Sequence, residues 1–355
     1  MLHRLRRTPC AVLPRAALST SAARSALGPP PATPPRVLVT GATGQIGMEL
    51  VPFLRARYGR DNVMATDIRI APAGMGRETG PYAYLDVTDS GAVTRAVVDH
   101  GATSILHLAS LLSAVGERNP TLAMRVNSRG AENVFEAAAA HGAAVFAPST
   151  IAVFGPSTPR VNTPNTTVLR PTTMYGTTKV YLELLGEYYA AKRGVDFRSL
   201  RYPGVISNTA LPGGGTTDYA IEIFYEALRT RRYSCFLGPD TPLPMMYMPD
   251  CVAATVALME APRARLTTGV YNVTAASFTP ADVAAEIRVH MPDFAMSYAP
   301  DFRQAIADSW PASIDDSLAR ADWGWKHAYG LPEMTTDMLA ALSKRLALPV
   351  NKARV

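Results

Sequence analysis

The chain has 355 residues, 48% of them hydrophobic, enough to bury a substantial core in one large domain or two. It holds no uninterrupted apolar run of about 18 residues, which excludes a membrane-spanning helix. The net charge of +6 does not mark a nucleic-acid binder: residues 1–36 carry six of the 35 basic residues and no acid, leaving 29 basic against 29 acidic residues in the remainder.

That leader is rich in Arg and Ser and has no carboxylate; the first in the chain is Glu49. This is the pattern of an organelle transit peptide and predicts delivery to the mitochondrial matrix, with a chloroplast leader or a plain tail as alternatives. Pro9, Pro14 and Arg15 interrupt its apolar stretch, which argues against a secretory signal. The prolines at 29–31 and 34–35 form a linker, so residues 1–35 are read as transit peptide and linker. Cys10 lies in the leader. Cys235 and Cys251 have neither metal-ligand nor redox spacing, so no metal site is expected.

Residues 36–40 form a short apolar run that stops at glycine, a buried parallel strand. The loop Gly41-Ala42-Thr43-Gly44-Gln45-Ile46-Gly47 follows, then a helix through 48–57 in which Pro52 removes one ladder bond and predicts a kink. Glycines between a strand and a helix let the backbone turn tightly and let a diphosphate approach the helix N-terminus. Residues 62–66 are the second strand. It ends at Asp67, 20 residues after Gly47, where a carboxylate accepts hydrogen bonds from the adenosine ribose. A 2′-phosphate would be repelled there, which favours NAD over NADP. Arg69, next to Ile68 in the same turn, is nevertheless a side chain suited to holding that phosphate.

A third strand over 82–85 leads to Asp86 and Val87, read as adenine contacts or as the opening of the helix at 89–99. The fourth strand, 103–108, carries His107-Leu108-Ala109-Ser110. Ligands in such folds lie outside the carboxyl ends of the strands, so Leu108, Ala109 and Ser110 line the cofactor, with Ser113 just beyond. His107 is read as a packed structural residue. A helix over 121–140 precedes a fifth strand, 143–148, ending at Ser149-Thr150. Either hydroxyl can hold a substrate oxygen; a local turn hydrogen bond is the alternative.

The helix at 175–193 puts Tyr175 and Lys179 on one face. A cation beside a phenol favours phenolate, and moving tyrosine from ~10 toward ~7 takes about 4 kcal/mol of differential stabilisation. That would give a neutral-pH base for removing an alcohol proton. With 15 Tyr and 5 Lys in the chain the spacing alone is weak evidence; the glycine loop upstream gives it weight. A strand at 196–200 completes an alternation that predicts a doubly wound parallel α/β sheet. After Tyr202 the alternation stops. A glycine-rich loop at 211–217, an amphipathic helix at 218–231, an extended proline-bearing stretch at 239–249 and helices near 249–260, 279–290 and 331–345 form a smaller lobe. The predicted division is a dinucleotide-binding domain at 36–205, with 245–275 returning to it, and a substrate lobe at 206–244 and 276–345.

Gly41-x-x-Gly44-x-x-Gly47, Asp67, His107-Leu108-Ala109-Ser110, Ser149-Thr150, Tyr175-x-x-x-Lys179 and Arg201-Tyr202-Pro203-Gly204 together resemble the extended short-chain dehydrogenase/reductase family, over about residues 36–271. The stretches 148–156, 212–219 and 322–326 are similar to the threonine-oxidising branch of that family, the second being the most specific. Thr150 stands where many wider relatives have serine, and either hydroxyl can serve.

The resemblance implies a Rossmann domain with an interleaved C-terminal lobe, often a homodimer packed through the helices at 121–140 and 175–193. It implies NAD as cofactor and L-threonine as substrate, oxidised at Cβ to 2-amino-3-oxobutanoate. Tyr175 would be the base, Lys179 would hold the nicotinamide ribose and depress the phenol pKa, and Thr150 would orient the hydroxyl. Tyr202, Pro203 and Val205 join the cofactor contacts, and Ser113, Thr216, Thr217 and Trp310 the substrate pocket. Two rival readings stand beside it. A nucleotide-sugar epimerase or dehydratase would need basic side chains for a diphosphate, such as Arg229, Arg231 and Arg232. A non-catalytic NAD-binding protein would have no need of Tyr175 and Lys179.

Overall fold

The computed structural model describes residues 27–72, 75, 78–211 and 215–350. The leader up to residue 26, with Cys10, and Pro212, Gly213 and Gly214 of the glycine-rich loop lie outside the described residues.

The first half alternates as its hydrophobic runs require. β1 (Val37–Thr40) is buried throughout, and α1 (Gln45–Tyr58) begins directly after Gly44 and continues through Pro52 as one helix. β2 (Val63–Asp67), β3 (Tyr82–Tyr84), α2 (Ser90–His100) and β4 (Ser104–His107) follow; the Asp89 carboxylate caps α2 by accepting the Ala92 N–H. The helix predicted over 121–140 is interrupted. α3 (Ser113–Arg118) and α4 (Pro120–Met124) lead into a π-turn at Arg125–Arg129, and α5 (Gly130–His141) continues from it. Next come β5 (Ala144–Phe146), the two-residue β6 (Ser149–Thr150), a 3₁₀ turn at Ile151–Val153, α6 (Met174–Arg193) and β7 (Phe197–Tyr202).

The second half is more broken. It contains β8 (Gly204–Ile206), α7 (Tyr219–Thr230), β9 (Arg232–Cys235), β10 (Leu243–Tyr247) and α8 (Met248–Glu260). β11 (Val270–Asn272), β12 (Ala276–Phe278), α9 (Pro280–His290), β13 (Ala295–Tyr298), α10 (Phe302–Asp308), α11 (Ser317–Trp323) and α12 (Leu331–Leu346) complete it. Of the prolines at 239–249, Pro244 lies in β10, but Pro239 sits in a turn closed by the Thr241 N–H on the Gly238 carbonyl and Pro249 in the first turn of α8, where a missing N–H costs nothing.

The main sheet is parallel, in the order β11-β7-β5-β4-β1-β2-β3, with β6 paired to β7. Alternate side chains of β1 face opposite layers. Leu38 packs with Val93 and Val97 of α2, Val134 and Phe135 of α5 and Leu182 of α6. Val37 and Val39 pack with Leu50 and Leu54 of α1 and Val252 and Val256 of α8. β8 leaves the main sheet directly after β7 and joins a three-stranded sheet, β12-β10-β8. A third core binds this to α7, α9 and α12 through Phe224, Ile287, Met338 and Leu342. β11 then returns to pair with β7 at the edge of the main sheet. Among the described residues no helix is long and apolar enough to cross a membrane.

Candidate functional site

The strand order reverses at β1: its neighbours β2 and β4 lead away in opposite directions, and ligand crevices open at such a switch point. A cavity of about 230 Å3 lies there, at the carboxyl ends of β1, β4, β6 and β7. Of the residues predicted for the site, Gly41, Gly44, Gln45, Ile46, Gly47, Leu108, Ser110, Ser113 and Thr150 line it. So do Tyr175, Lys179, Tyr202, Pro203, Val205, Thr216, Thr217 and Trp310.

The glycine turn is built for close approach. Gly41 has φ +66°, and a Cβ there would fall 2.5 Å from the Ala109 nitrogen, so Ala109 backs the turn without lining the cavity. A Cβ on Gly47 would fall 2.4 Å from the Ala42 carbonyl oxygen. Gly44 is the N-cap of α1; no described side chain caps this end and its first turn has no acid, so N–H groups remain for a ligand. The Ser110 hydroxyl is buried at the same cavity with no hydrogen-bond partner among the described residues.

Thr43, Asp67, Ile68 and Arg69 stand outside this cavity, at the end of β2. The Thr43 N–H and hydroxyl donate to Asp67 Oδ2 at 3.0 and 2.7 Å, and Arg69 Nε donates to Oδ1 at 3.3 Å. Burial works to raise the Asp67 pKa, but these hydrogen bonds outweigh it and hold the group below its ordinary value. Ile68 and Arg69 line a shallow depression with Ile70, Tyr82 and Tyr84. The adenine contacts expected of Asp86 and Val87 do not appear as cavity lining. Asp86 Oδ1 accepts the N–H and hydroxyl of Thr88, so it closes its own turn, and Val87 packs against Gly130.

At the other end Tyr175 is half-buried with its phenol beside the Thr150 hydroxyl, which accepts the Ala152 N–H at 3.2 Å. The expectation that Lys179 depresses the phenol is corrected here. Burial pushes the Tyr175 pKa up to about 12, only partly offset by Thr150. The Lys179 ammonium lies 5.7 Å from the ring centroid and donates to the Pro148 carbonyl at 2.8 Å, so its hydrogen bond goes to backbone and not to the phenol oxygen. Burial lowers Lys179 to about 8, with Glu183 acting in the opposite direction. Ser149 is also committed elsewhere, since its hydroxyl donates to Glu183. His107 is packed, hydrogen-bonded through Nδ1 to the Thr40 hydroxyl at 2.9 Å; burial, then the Lys179 charge, lower it to about 3.

Sequence reading missed Leu112, Pro148, Ile151, Gly204, Gly215 and Asp218, which also line the cavity, Asp218 accepting the Gly215 N–H at 2.8 Å. It also missed Asn127. Buried in the π-turn, Asn127 accepts the Leu111 N–H and donates to the Leu111 carbonyl and the Thr178 hydroxyl, tying the loop after β4 to α6. Arg229, Arg231 and Arg232 lie elsewhere: Arg229 pairs with Glu226, Arg231 donates to the carbonyls of Pro349 and Val350, and Arg232 stands on β9. Among the described residues no group of three or more His, Cys, Asp or Glu is placed to hold a metal ion.

A doubly wound parallel sheet with a glycine turn at its switch point and a tyrosine–lysine pair beside it defines the class of NAD-dependent oxidoreductases. More narrowly, the chain belongs to the NAD dependent epimerase/dehydratase family, whose profile matches residues 37–274. It is 52% identical over 309 residues to "L-threonine 3-dehydrogenase, mitochondrial" of Sus scrofa, covering 87% of this chain and 83% of that one. Among solved structures it is similar to L-threonine dehydrogenase from Phytophthora infestans, 58% identical with a TM-score of 0.85 over 87% of this chain and 99% of that one. It is also similar to the holo form of the GalE-like L-threonine dehydrogenase from Cupriavidus necator, 51% identical with a TM-score of 0.84 over 87% and 100% of the two chains.

Proposed function

We propose that this protein oxidises L-threonine at the Cβ hydroxyl to 2-amino-3-oxobutanoate, with NAD as the hydride acceptor. The observation that carries the reading is Tyr175, half-buried beside Thr150 and one helical turn from Lys179, on a cavity lined by the glycine turn. NAD fits the donors present. The turn around Gly41 and Gly44 offers backbone N–H groups to a diphosphate, Asp67 offers a carboxylate to ribose hydroxyls, and Ser110 offers an unspent hydroxyl. Arg69, though largely exposed, spends its Nε on the buried Asp67 carboxylate, and that negative charge at the end of β2 supports NAD over NADP.

When bound, NAD supplies the hydride acceptor, and its oxidised ring carries a positive charge that favours phenolate. The chain supplies the rest. Thr150 orients the substrate hydroxyl, Tyr175 takes its proton at the phenol oxygen, and Lys179 contributes a positive charge and a donor at the cofactor ribose. Ser113, Thr216, Thr217 and Trp310 bound the substrate end, so the lobe at 206–244 and 276–345 is read as substrate-binding. The Arg-rich leader supports import into the mitochondrial matrix. Exposed apolar residues on α3, α4 and α6 support a homodimer.

The test is NADH formation by the purified protein with L-threonine, D-threonine, L-allo-threonine and L-serine in parallel, and a UDP-sugar assayed alongside. L-Threonine is expected to be the best substrate by at least about tenfold. Turnover of the UDP-sugar with none of threonine would hand the site to epimerase chemistry.

A further inference from the structure

One buried ion pair behind the cavity has no part in the mechanism above. Glu183 follows Lys179 by one helical turn on the sheet-facing side of α6, and it is buried with Arg201 of β7. Arg201 donates from Nε and Nη2 to the two oxygens of that carboxylate, at 2.8 and 2.7 Å. The same carboxylate accepts the Ser149 hydroxyl. Ser149 and Thr150 make up β6, whose partners on β7 are Arg201 and Tyr202. Arg201 Nη1 donates to the Asn165 carbonyl at 2.6 Å and to Asn272 Oδ1 at 3.2 Å, so the pair is anchored on its far side as well. A buried ion pair costs much to desolvate and is often no more stabilising than apolar side chains of similar volume. Packing alone therefore gives little reason for two charges at this place.

We propose that Glu183, braced by Arg201, is a positioning residue for the oxidation. Through Ser149 it fixes the strand that presents Thr150 to Tyr175, and through its charge it keeps Lys179 protonated where burial favours the neutral amine. The proposal deepens the reading of Tyr175, Lys179 and Thr150 as an alcohol-oxidising site and rests on it. The titratable and charged groups facing Lys179 are Tyr175 and Glu183 on its own helix, His107 on β4, and Arg201 on β7 behind Glu183. His107 is neutral at working pH, and Arg201 is opposed by Glu183. The Lys179 hydrogen bond goes to a neutral carbonyl, so Glu183 is the negative charge that favours the ammonium. With Glu183 neutral, Arg201 would repel Lys179, and the ammonium would be lost at lower pH.

The experiment is kcat against pH, from about pH 6 to pH 10, for wild type and variants at saturating L-threonine and NAD, followed by NADH absorbance. Glu183→Gln is expected to lower kcat about 10- to 100-fold and to move the high-pH fall in kcat down by about one pH unit, with the KM for NAD changed less than about threefold. Ser149→Ala removes the strand contact and keeps the charge; it is expected to lower kcat about 3- to 10-fold with the pH profile unmoved. If Glu183→Gln does not fold, the double variant Glu183→Leu with Arg201→Met replaces the pair by apolar side chains and is expected to move the high-pH fall in the same direction by less. A purely structural pair would lower the melting temperature and leave the profile in place. A folded Glu183→Gln or double variant with wild-type kcat and pH profile overturns the proposal while the functional reading stands. A wild type that makes no NADH from L-threonine overturns the functional reading itself, and this inference with it.

Discussion

Tyr175 is held in a place that opposes its proposed chemistry. Burial raises it to about 12, in favour of the neutral phenol. The protein alone therefore holds a protonated tyrosine, and proton removal waits for positive charge to enter the cavity. Replacing Tyr175 by Phe keeps the ring and deletes the oxygen. Turnover should fall by at least about a thousandfold, while NADH affinity, read by fluorescence, changes less than about threefold. Equal turnover in the mutant would end the assignment. Asp67 makes a second prediction. Its carboxylate, held ionised by Thr43 and Arg69, is the group proposed to meet the adenosine ribose. Asp67→Asn should raise the KM for NAD about tenfold and narrow the preference over NADP, both from initial rates with each coenzyme. An unchanged ratio would remove Asp67 from the recognition of the ribose. What sequence spacing could not reveal is the target of the Lys179 ammonium. An i, i+4 relation places two side chains on one face, yet a four-carbon stem chooses its own acceptor, and here that acceptor is the Pro148 carbonyl.

The helix α6 depends on two glycines that let it lie close to its neighbours. A Cβ on Gly176 would come within 2.2 Å of the Ala152 carbonyl oxygen, and one on Gly186 within 2.4 Å of the Phe197 ring. Gly176 is flanked by Tyr175 and Thr177, so any shift of the helix start displaces the phenol. Gly176→Ala is expected to cost about 1–3 kcal/mol in urea unfolding and to lower kcat more than the KM for NAD. A variant as stable and active as wild type would show that the helix start has slack. Elements of this kind were legible where one period ran unbroken. β1, β2 and β4 announced themselves as short apolar runs, and α6 starts one residue before the predicted 175, capped by the Thr173 hydroxyl, which accepts the Gly176 N–H. The π-turn at 125–129 was not legible. Its cause is a set of tertiary hydrogen bonds from Asn127 to Leu111 and Thr178, partners 16 and 51 residues away.

At the scale of the whole molecule, the doubly wound half followed from strand–helix alternation, because each parallel strand is completed by its own crossover. The lobe resisted for the opposite reason. β8, β10 and β12 are three to five residues long and pair across gaps of some 30 to 40 residues, so no local pattern names their partners. The outer surface carries one more consequence. Leu112, Val115 and Met124 around α3 and α4, with Leu184 and Tyr188 on α6, are 42–59% exposed. These helices pack against one another, and Leu184 and Tyr188, four residues apart, share one side of α6. A soluble chain rarely leaves such a patch to water, and a two-fold interface would cover it with its own copy. Because two-fold symmetry presents every residue twice, a single charge enters the interface as a pair of like charges. Leu184→Glu combined with Tyr188→Glu should therefore shift the protein from dimer to monomer in sedimentation at micromolar concentration, with the fold retained by circular dichroism. Loss of the dimer should also loosen α6, which carries Tyr175 and Lys179, so the monomer is expected to turn over threonine more slowly. A wild type that already sediments as a monomer, with the double variant equally active, would leave the patch as plain surface.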